Sequence, residues 1–481
     1  MRRVFAITLA LACALGTGCA VGPEYTRPPM TTPERIRGNE AASEAASLAD
    51  RAWWEIFQDD VLKGLIDEAL KNGYDVRQAA WRVEEARANA GIARSEFYPS
   101  IEADGGWTRG RRPLGSTLGS APVNLSDVNL GLTWEIDLWG RIRRLNQAAL
   151  AEYLATEEAR RGVLLSLVSD VATTYFELRE LDLQLDIAKR TTGAFQETYD
   201  LFNRRLEAGA ASALETSSAK ASLASTAASI PDLERQITAQ ENRVAFLLGR
   251  APEAIPRGAA LNDQLLPPDI PPGLSSALLE RRPDLRAAEQ RLVAANAEVG
   301  VAIADFFPTL SLTGAFGGVA PQVTDLFGDG RTWSVGGGLL SPVFQGRRLK
   351  NQHLAAVARW EEAKVQYEES VTRAFEEVST NLVAYRKLAA EEREQVLSVD
   401  AYRQAVGLSN SRYVGGLSDY LEVLQAQQQL FPAENALART RFERLAILVQ
   451  LYKSLGGGWR LSDPGWQGPE RQVGAAPESS R

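Results

Sequence analysis

Histidine and cysteine are almost missing from this chain. Its 481 residues include one histidine, His353, and two cysteines, Cys13 and Cys19, both near the start. If the leader is removed, the body keeps no thiol except at its first residue. Disulfides within the chain and Cys/His metal clusters are then excluded. Ser/His/Asp and Cys/His nucleophile systems could draw only on His353. That residue follows Arg347, Arg348 and Lys350 on a helical pattern and reads as a solvated or packed helix residue. A basic stripe is also missing. The net charge of −8 becomes −10 when Arg2 and Arg3 leave with the leader, which argues against nucleic acid as a partner. Carboxylates are plentiful, but examples such as Glu157, Glu158, Glu361 and Glu362 fall on heptad-exposed positions, where a solvated face is expected. No phosphate loop, metal set or nucleophile motif stands out, so the chain reads as a non-enzyme without cofactor.

The leader itself is informative. Arg2-Arg3 is a short positive region, and Val4–Leu15 is an apolar run of twelve residues, too short for a membrane helix. Gly16, Thr17, Gly18 and Cys19 follow. This resembles a bacterial lipobox, with Gly16 where leucine is usual. The resemblance implies a signal peptide over 1–18 and a Cys19 that carries diacylglycerol and an N-acyl chain. An ordinary signal peptide with an incidental cysteine is the alternative. Ala20, rather than an aspartate, follows, which by resemblance to sorted lipoproteins points to the outer membrane. One lipid chain anchors weakly, so a second membrane signal is expected.

The chain also repeats itself once. Asp75-Val76-Arg77 with Arg82-Val83 returns as Asp284-Leu285-Arg286 with Arg291-Leu292. Phe97-Tyr98-Pro99-Ser100 returns as Phe306-Phe307-Pro308-Thr309, and Gly140-Arg141 as Gly346-Arg347. Asn203, Arg205, Gly209, Leu214 and Glu215 return as Asn410, Arg412, Gly416, Leu421 and Glu422. The offsets stay between 206 and 209, far beyond the ~20–50 residues of a solenoid repeat. Residues 53–250 and 274–458 are therefore two structural repeats. An extended arm (19–52) precedes them, a linker with six prolines (251–273) joins them, and a tail without periodicity (459–481) is expected to be disordered.

Each repeat has the same plan. A helical pattern runs from about Asp60 to Phe97 and ends at Pro99. A period-two region follows, expected as hairpins over 100–138 and 309–343. Val128, Leu130, Leu132, Trp134, Ile136 and Leu138 alternate with polar or small residues. Such a strand has one greasy and one wet face, and its length suits a membrane β-strand of ~9–11 residues. A half-buried strand of a soluble sandwich is the alternative. Then come proline-free stretches, 139–206 and 345–413. A helix of that length would measure ~100 Å. Leu167, Val171, Thr174, Leu178, Leu181, Leu185 and Ala188 follow heptad spacing, so coiled-coil packing is expected. Gly209 and Gly415-Gly416 end the rods. Ser212 and Ser418-Asp419 are candidate N-caps of return helices over 214–248 and 420–455, which Pro231 and Pro432 are expected to kink.

Four membrane strands cannot close a barrel, which needs ~8 or more. An open edge in lipid leaves backbone groups unpaired. Several chains must close it together.

The chain resembles the outer-membrane efflux protein (TolC-like) family, and in particular its lipoprotein (NodT-type) branch, which serves resistance-nodulation-division pumps. The resemblance rests on the duplication, Cys19-Ala20-Val21-Gly22-Pro23-Glu24-Tyr25, Trp53-Trp54, Phe97-Tyr98-Pro99, Asp137-Leu138-Trp139-Gly140-Arg141 and Arg412-Tyr413…Gly416…Tyr420-Leu421…Gln425-Ala426-Gln427. It implies a homotrimer with a twelve-stranded barrel in outer-membrane lipid and a hollow helical barrel crossing the periplasm. It also implies a periplasmic adaptor and an inner-membrane pump as partners, the chain being a passive exit duct for drugs or other small toxic compounds. Tyr413, Leu421, Gln425 and Gln428 match the family's periplasmic gate, the two glutamines standing where an acid and an arginine are usual. Gly209 and Gly416 match the adaptor-contact turns, although helix termination alone would explain them. A duct for ATP-binding-cassette protein secretion and a structural coiled-coil envelope lipoprotein are the competing readings.

Overall fold

The computed structural model describes residues 20–30, 33, 36–37, 48, 56–110, 122–209, 211–264 and 277–457. The leader, Cys19, Trp53, Trp54 and the expected disordered tail lie outside the described residues.

In the first repeat, helices α1 (Asp60–Asn72) and α2 (Tyr74–Ser95) lead into strands β1 (Ser100–Gly110) and β2 (Val123–Ile136), the rod α3 (Arg141–Glu207) and the return helix α4 (Ala213–Leu247). The second has α5 (Ala277–Arg281), α6 (Pro283–Ala304), β3 (Thr309–Ala320), β4 (Arg331–Leu340), the rod α7 (Arg348–Val414) and the return helix α8 (Tyr420–Ser454). Both rods have 67 residues, both return helices 35, and α2 and α6 both 22. Left-handed glycines fall at matching places: Gly140 and Gly346, Gly209 and Gly416, Gly249 and Gly456. The return helices run through Pro231 and Pro432.

Three expectations need correction. The single helix over 60–97 is two helices, because Gly73 turns the chain at ψ 136°. A Cβ at Gly73 would lie 2.6 Å from the Ala69 carbonyl and 3.0 Å from Leu167, so only glycine fits this corner. The apolar period hides the break, since Leu62, Leu65, Ile66 and Ala69 before it and Val76 and Ala79 after it are all buried. Second, β2 stops at Ile136, short of Leu138. Asp137 leaves the strand and accepts hydrogen bonds from the N–H groups of Ile142 (3.1 Å) and Arg143 (3.0 Å), opening α3. Third, Glu158 is buried, not solvated. Arg161 meets it at 2.6 Å and Arg286 of α6 at 2.9 Å. The heptad marks one seam of the rod and misses the second face turned to α6. Glu157 is half-buried, and Glu361 and Glu362 are exposed.

The chain forms two compact units, each drawing on both repeats. One comprises residues 30–81, 158–286 and 369–481. Its core gathers Leu62, Ile66, Val171, Tyr175, Phe176, Leu178, Val244, Leu248, Val378, Leu448, Leu451 and Tyr452. Leu167, Thr174, Leu181 and Ala188 of the heptad seam are buried too. Asp59 anchors this core. Its carboxylate caps α1 through the N–H groups of Val61 (2.9 Å) and Leu62 (3.2 Å). It also accepts from Tyr175 Oη, Ala259 N–H and Gln264 Nε2, each at 3.0 Å. The described part of the proline-rich stretch is thereby fastened, with Ile255 and Leu261 buried.

The other unit comprises residues 1–29, 82–157 and 287–368. It holds the sheet, antiparallel throughout in the order β1-β2-β3-β4. A smaller cluster of Val299, Ala302 and Ala356, packed by Trp360, joins its helical segments.

Candidate functional site

The sheet register sorts side chains into two faces. Opposed residues of an antiparallel pair share a face. One row runs Ile101, Leu132, Gly314, Val335, and the next Ala103, Leu130, Phe316, Trp333. Trp134 and Leu312 continue this face on one side and Val128 on the other. Glu102, Asp104, Asn129, Gly131, Thr133, Ser311, Thr313 and Ser334 occupy the other. The greasy face is uncovered over most of its area, since Ile101, Leu130, Phe316, Trp333 and Val335 are all exposed. Burying such side chains is worth ~1.5–3 kcal/mol each, so this face needs an apolar environment. The outer edges of β1 and β4 find no partner strand among the described residues. Among those residues no helix is long and apolar enough to cross a bilayer. The strands, of 10 to 14 residues, have the required length.

The N-terminal arm is fixed beside the sheet. Val21 N–H donates to the Trp139 carbonyl (3.0 Å), and Trp139 Nε1 donates to the Pro308 carbonyl (2.9 Å). Arg144 holds the carbonyls of Val21 and Gly22 at 3.3 Å each. Gly22 and Gly300 touch backbone to backbone; a Cβ at Gly22 would lie 2.6 Å from Gly300 Cα. Further on, Glu289 accepts from Tyr25 Oη (3.1 Å) and from Arg27 in a two-pronged pair at 2.6 and 2.5 Å. Burial and that carboxylate push the Tyr25 phenol well above its ordinary range, so it remains a donor. Ala20 sits against Gly140, where a Cβ would come 2.6 Å from the Ala20 side chain. Ala20 therefore lies beside Gly140, which is four positions past the end of β2 and just before α3, where strand gives way to helix.

The turns between rods and return helices carry the other candidate residues. Gly209 and Gly416 adopt φ of 73° and 71°. Ser212 caps α4 with a reciprocal pair to Glu215 (3.2 and 2.8 Å). Asp419 stands at the N-cap of α8 but makes no side-chain cap bond. Tyr413 packs on Phe202 and Tyr420, with ring centroids at 6.1 and 5.6 Å, and accepts a hydrogen bond from Arg205. The Phe202 and Tyr420 rings are 4.3 Å apart. Leu421 and Gln425 are exposed. Gln428 donates to Ser222 Oγ (3.2 Å) and lines a cleft of about 410 Å³ with Phe195, Thr226 and Phe431. Tyr413 and Gln428 are thus engaged within the chain; Leu421 and Gln425 face outward. Sequence reading missed Arg205 as the partner of Tyr413, although the duplication pairs Arg205 with Arg412, the residue before Tyr413. It also missed the neighbouring ion pair of Arg412 with Glu422 (3.5 Å).

The family model described as outer membrane efflux protein matches residues 65–250 and 274–457. The chain belongs to the outer membrane efflux protein family. Outer membrane protein OprJ of Pseudomonas aeruginosa is 35% identical over 457 residues, covering 94% of this chain and 95% of that protein. The toluene efflux pump outer membrane protein TtgI of Pseudomonas putida is 35% identical over 455 residues, covering 92% and 96%. Among solved structures, the open state of the Neisseria gonorrhoeae MtrE outer membrane channel superposes with TM-score 0.82 at 31% identity, covering 92% of this chain and 98% of that one. A Pseudomonas aeruginosa membrane protein superposes with TM-score 0.85 at 34% identity, covering 91% and 100%. Like other members, this outer membrane efflux protein is a channel of the outer membrane extending into the periplasm, and not an enzyme.

Proposed function

We propose that three copies of the chain close a twelve-stranded barrel and form the exit duct of a tripartite pump. The carrying observation is the four-stranded sheet with one exposed apolar face and two edges that are unpaired among the described residues. Three sheets closed edge to edge leave no open backbone in lipid. The duct serves a resistance-nodulation-division transporter through a periplasmic adaptor, and its cargo is small, apolar and toxic. Relatives named for toluene and solvent efflux support that class of cargo. Cys19 carries the lipid anchor, which the placement of Ala20 beside the strand–helix junction supports.

The gate lies at Tyr413, Leu421, Gln425 and Gln428, with Gly209 and Gly416 as adaptor-contact turns. With neutral Gln425 and Gln428 in place of an acid–arginine pair, the closed state is held mainly by apolar contacts and hydrogen bonds, without an ion-pair latch at those positions. The ratio of closed to open conductance should then change little between low and high salt; a steep dependence would show an ionic latch instead. In-cell crosslinking followed by mass spectrometry tests the partner assignment. Recovery of a resistance-nodulation-division transporter with its adaptor supports it. Recovery of an ATP-binding-cassette exporter would reassign the duct to protein secretion.

A further inference from the structure

The connection between β3 and β4 does not project away from the sheet. It folds back over the outer end of the apolar face. Gly318 opposes Val128, and Ala320 opposes Ser126, so both lie on the face carrying Leu130, Leu312 and Phe316. A Cβ at Gly318 would lie 1.9 Å from the carbonyl oxygen of Leu326, so the loop backbone rests directly on that face. Leu326 is only 3% exposed, and Ser126 and Ala320 beneath the loop are buried as well. The loop is held in this shape by its own bonds. Val319 N–H donates to the Gly330 carbonyl (2.8 Å), and the Asp325 carbonyl accepts from Gly328 (3.1 Å) and Gly330 (2.9 Å). A 3-10 turn at Val323–Asp325 completes it. Two large apolar side chains then stand outward: Val323, 67% exposed, and Phe327, 68% exposed.

We infer that this loop is a wedge in the outer leaflet, with Phe327 and Val323 inserted among lipid acyl chains. The depth fits. Ten strand residues separate Ile136 from Ser126; at ~3.4 Å each and a tilt of ~40° they climb about 26 Å, close to the ~25 Å apolar band of outer-membrane barrels. The row of Trp107, Ser126 and Ala320 therefore marks the outer rim of the band. Trp107 is exposed in that row, as expected for an interfacial girdle. The loop rests on Gly318, one same-face step below this row, so from the lipid side it meets the upper acyl chains, and Phe327 adds a large exposed apolar side chain there. The connection thus widens the lipid-facing surface instead of forming an exposed extracellular turn.

The inference rests on the apolar face meeting lipid, and the experiment separates the two. Full-length Val323→Cys and Phe327→Cys are spin-labelled and placed in phosphatidylethanolamine/phosphatidylglycerol vesicles. Collisions with oxygen and with a water-soluble nickel complex are compared. Val335→Cys reports the apolar face and Thr313→Cys the polar face; the unlabelled-site parent supplies the background from Cys19. Heat-resistant oligomer on gels confirms folding of each variant. The wedge predicts oxygen-dominated access at 323 and 327, matching Val335→Cys and opposite to Thr313→Cys. Nickel-dominated access at 323 and 327, with Val335→Cys still in lipid, would overturn the wedge alone. Immobile labels open to neither reagent would also overturn it, placing the loop against a second chain. Water access at Val335→Cys would overturn the barrel reading together with the wedge.

Discussion

Asp59 shows how much one buried side chain can hold. Five donors converge on its carboxylate, two from the first turn of α1 and three from Tyr175, Ala259 and Gln264. Asp59→Ala strands several of them at once, each unsatisfied buried donor costing ~1–3 kcal/mol. The variant should lose about 3 kcal/mol, read as an earlier thermal loss of folded oligomer, with Asp59→Asn losing less because it keeps an acceptor. Equal stability of Asp59→Ala and parent would refute this role. Glu180 contributes in the opposite direction. Burial pushes its carboxyl up from 4.5 to about 7, helped by Glu177 and Glu443 and partly offset by Arg439. Gln184 donates to it at 2.8 Å. In the unfolded chain the group ionises near its ordinary value, so the folded state holds the extra proton. Stability from this group is therefore greatest below about 4.5 and falls until about pH 7. Glu180→Gln should flatten the fall in melting temperature between these values; an unchanged slope would assign it to other groups.

At the scale of elements, the turns that end the rods are the most instructive. Gly209 and Gly416 have nothing within 4 Å of a would-be Cβ, so a side chain there meets only backbone strain. Gly416→Ala should cost about 1 kcal/mol locally and leave oligomerisation intact. If pump-dependent resistance collapses while the oligomer survives, the turn contacts the adaptor; if resistance persists, it only terminates the helix. Rods, return helices and hairpins were legible because a period of 3.5 or 2 repeats over many residues and because every element occurs twice. The corner at Gly73 was not, since the apolar period runs through it and, besides the Ala69 carbonyl of the same helix, Leu167 and the Leu247 carbonyl from distant parts of the chain close in on it. Burial of Glu158 was hidden for the same reason: its partner Arg286 is 128 positions away. The loop on Gly318 likewise leaves no periodic trace. Of the candidate site, Tyr413 could be read from the motif, whereas its contact with Arg205 depends on how two rods meet.

For the whole molecule, the proposed duct needs more than one chain. Among the described residues the sheet has open edges at β1 and β4 and an exposed greasy face, and the proposed closure by further copies of the chain in lipid would satisfy both. The N-terminal arm is pinned as well. Tyr25, Arg27 and Arg144 hold its backbone and side chains so that Ala20 lies against Gly140. Glu289→Gln should weaken the pair with Arg27 and make the arm more susceptible to limited proteolysis, by severalfold in rate. Cleavage unchanged from the parent would show that the backbone contacts of Val21 and Gly22 suffice. The central claim is the closure of four-stranded sheets into one duct, and native mass spectrometry of the protein extracted from outer membranes tests it most directly. A particle of three chains is the predicted result; a monomer, or a particle of two chains, would contradict it.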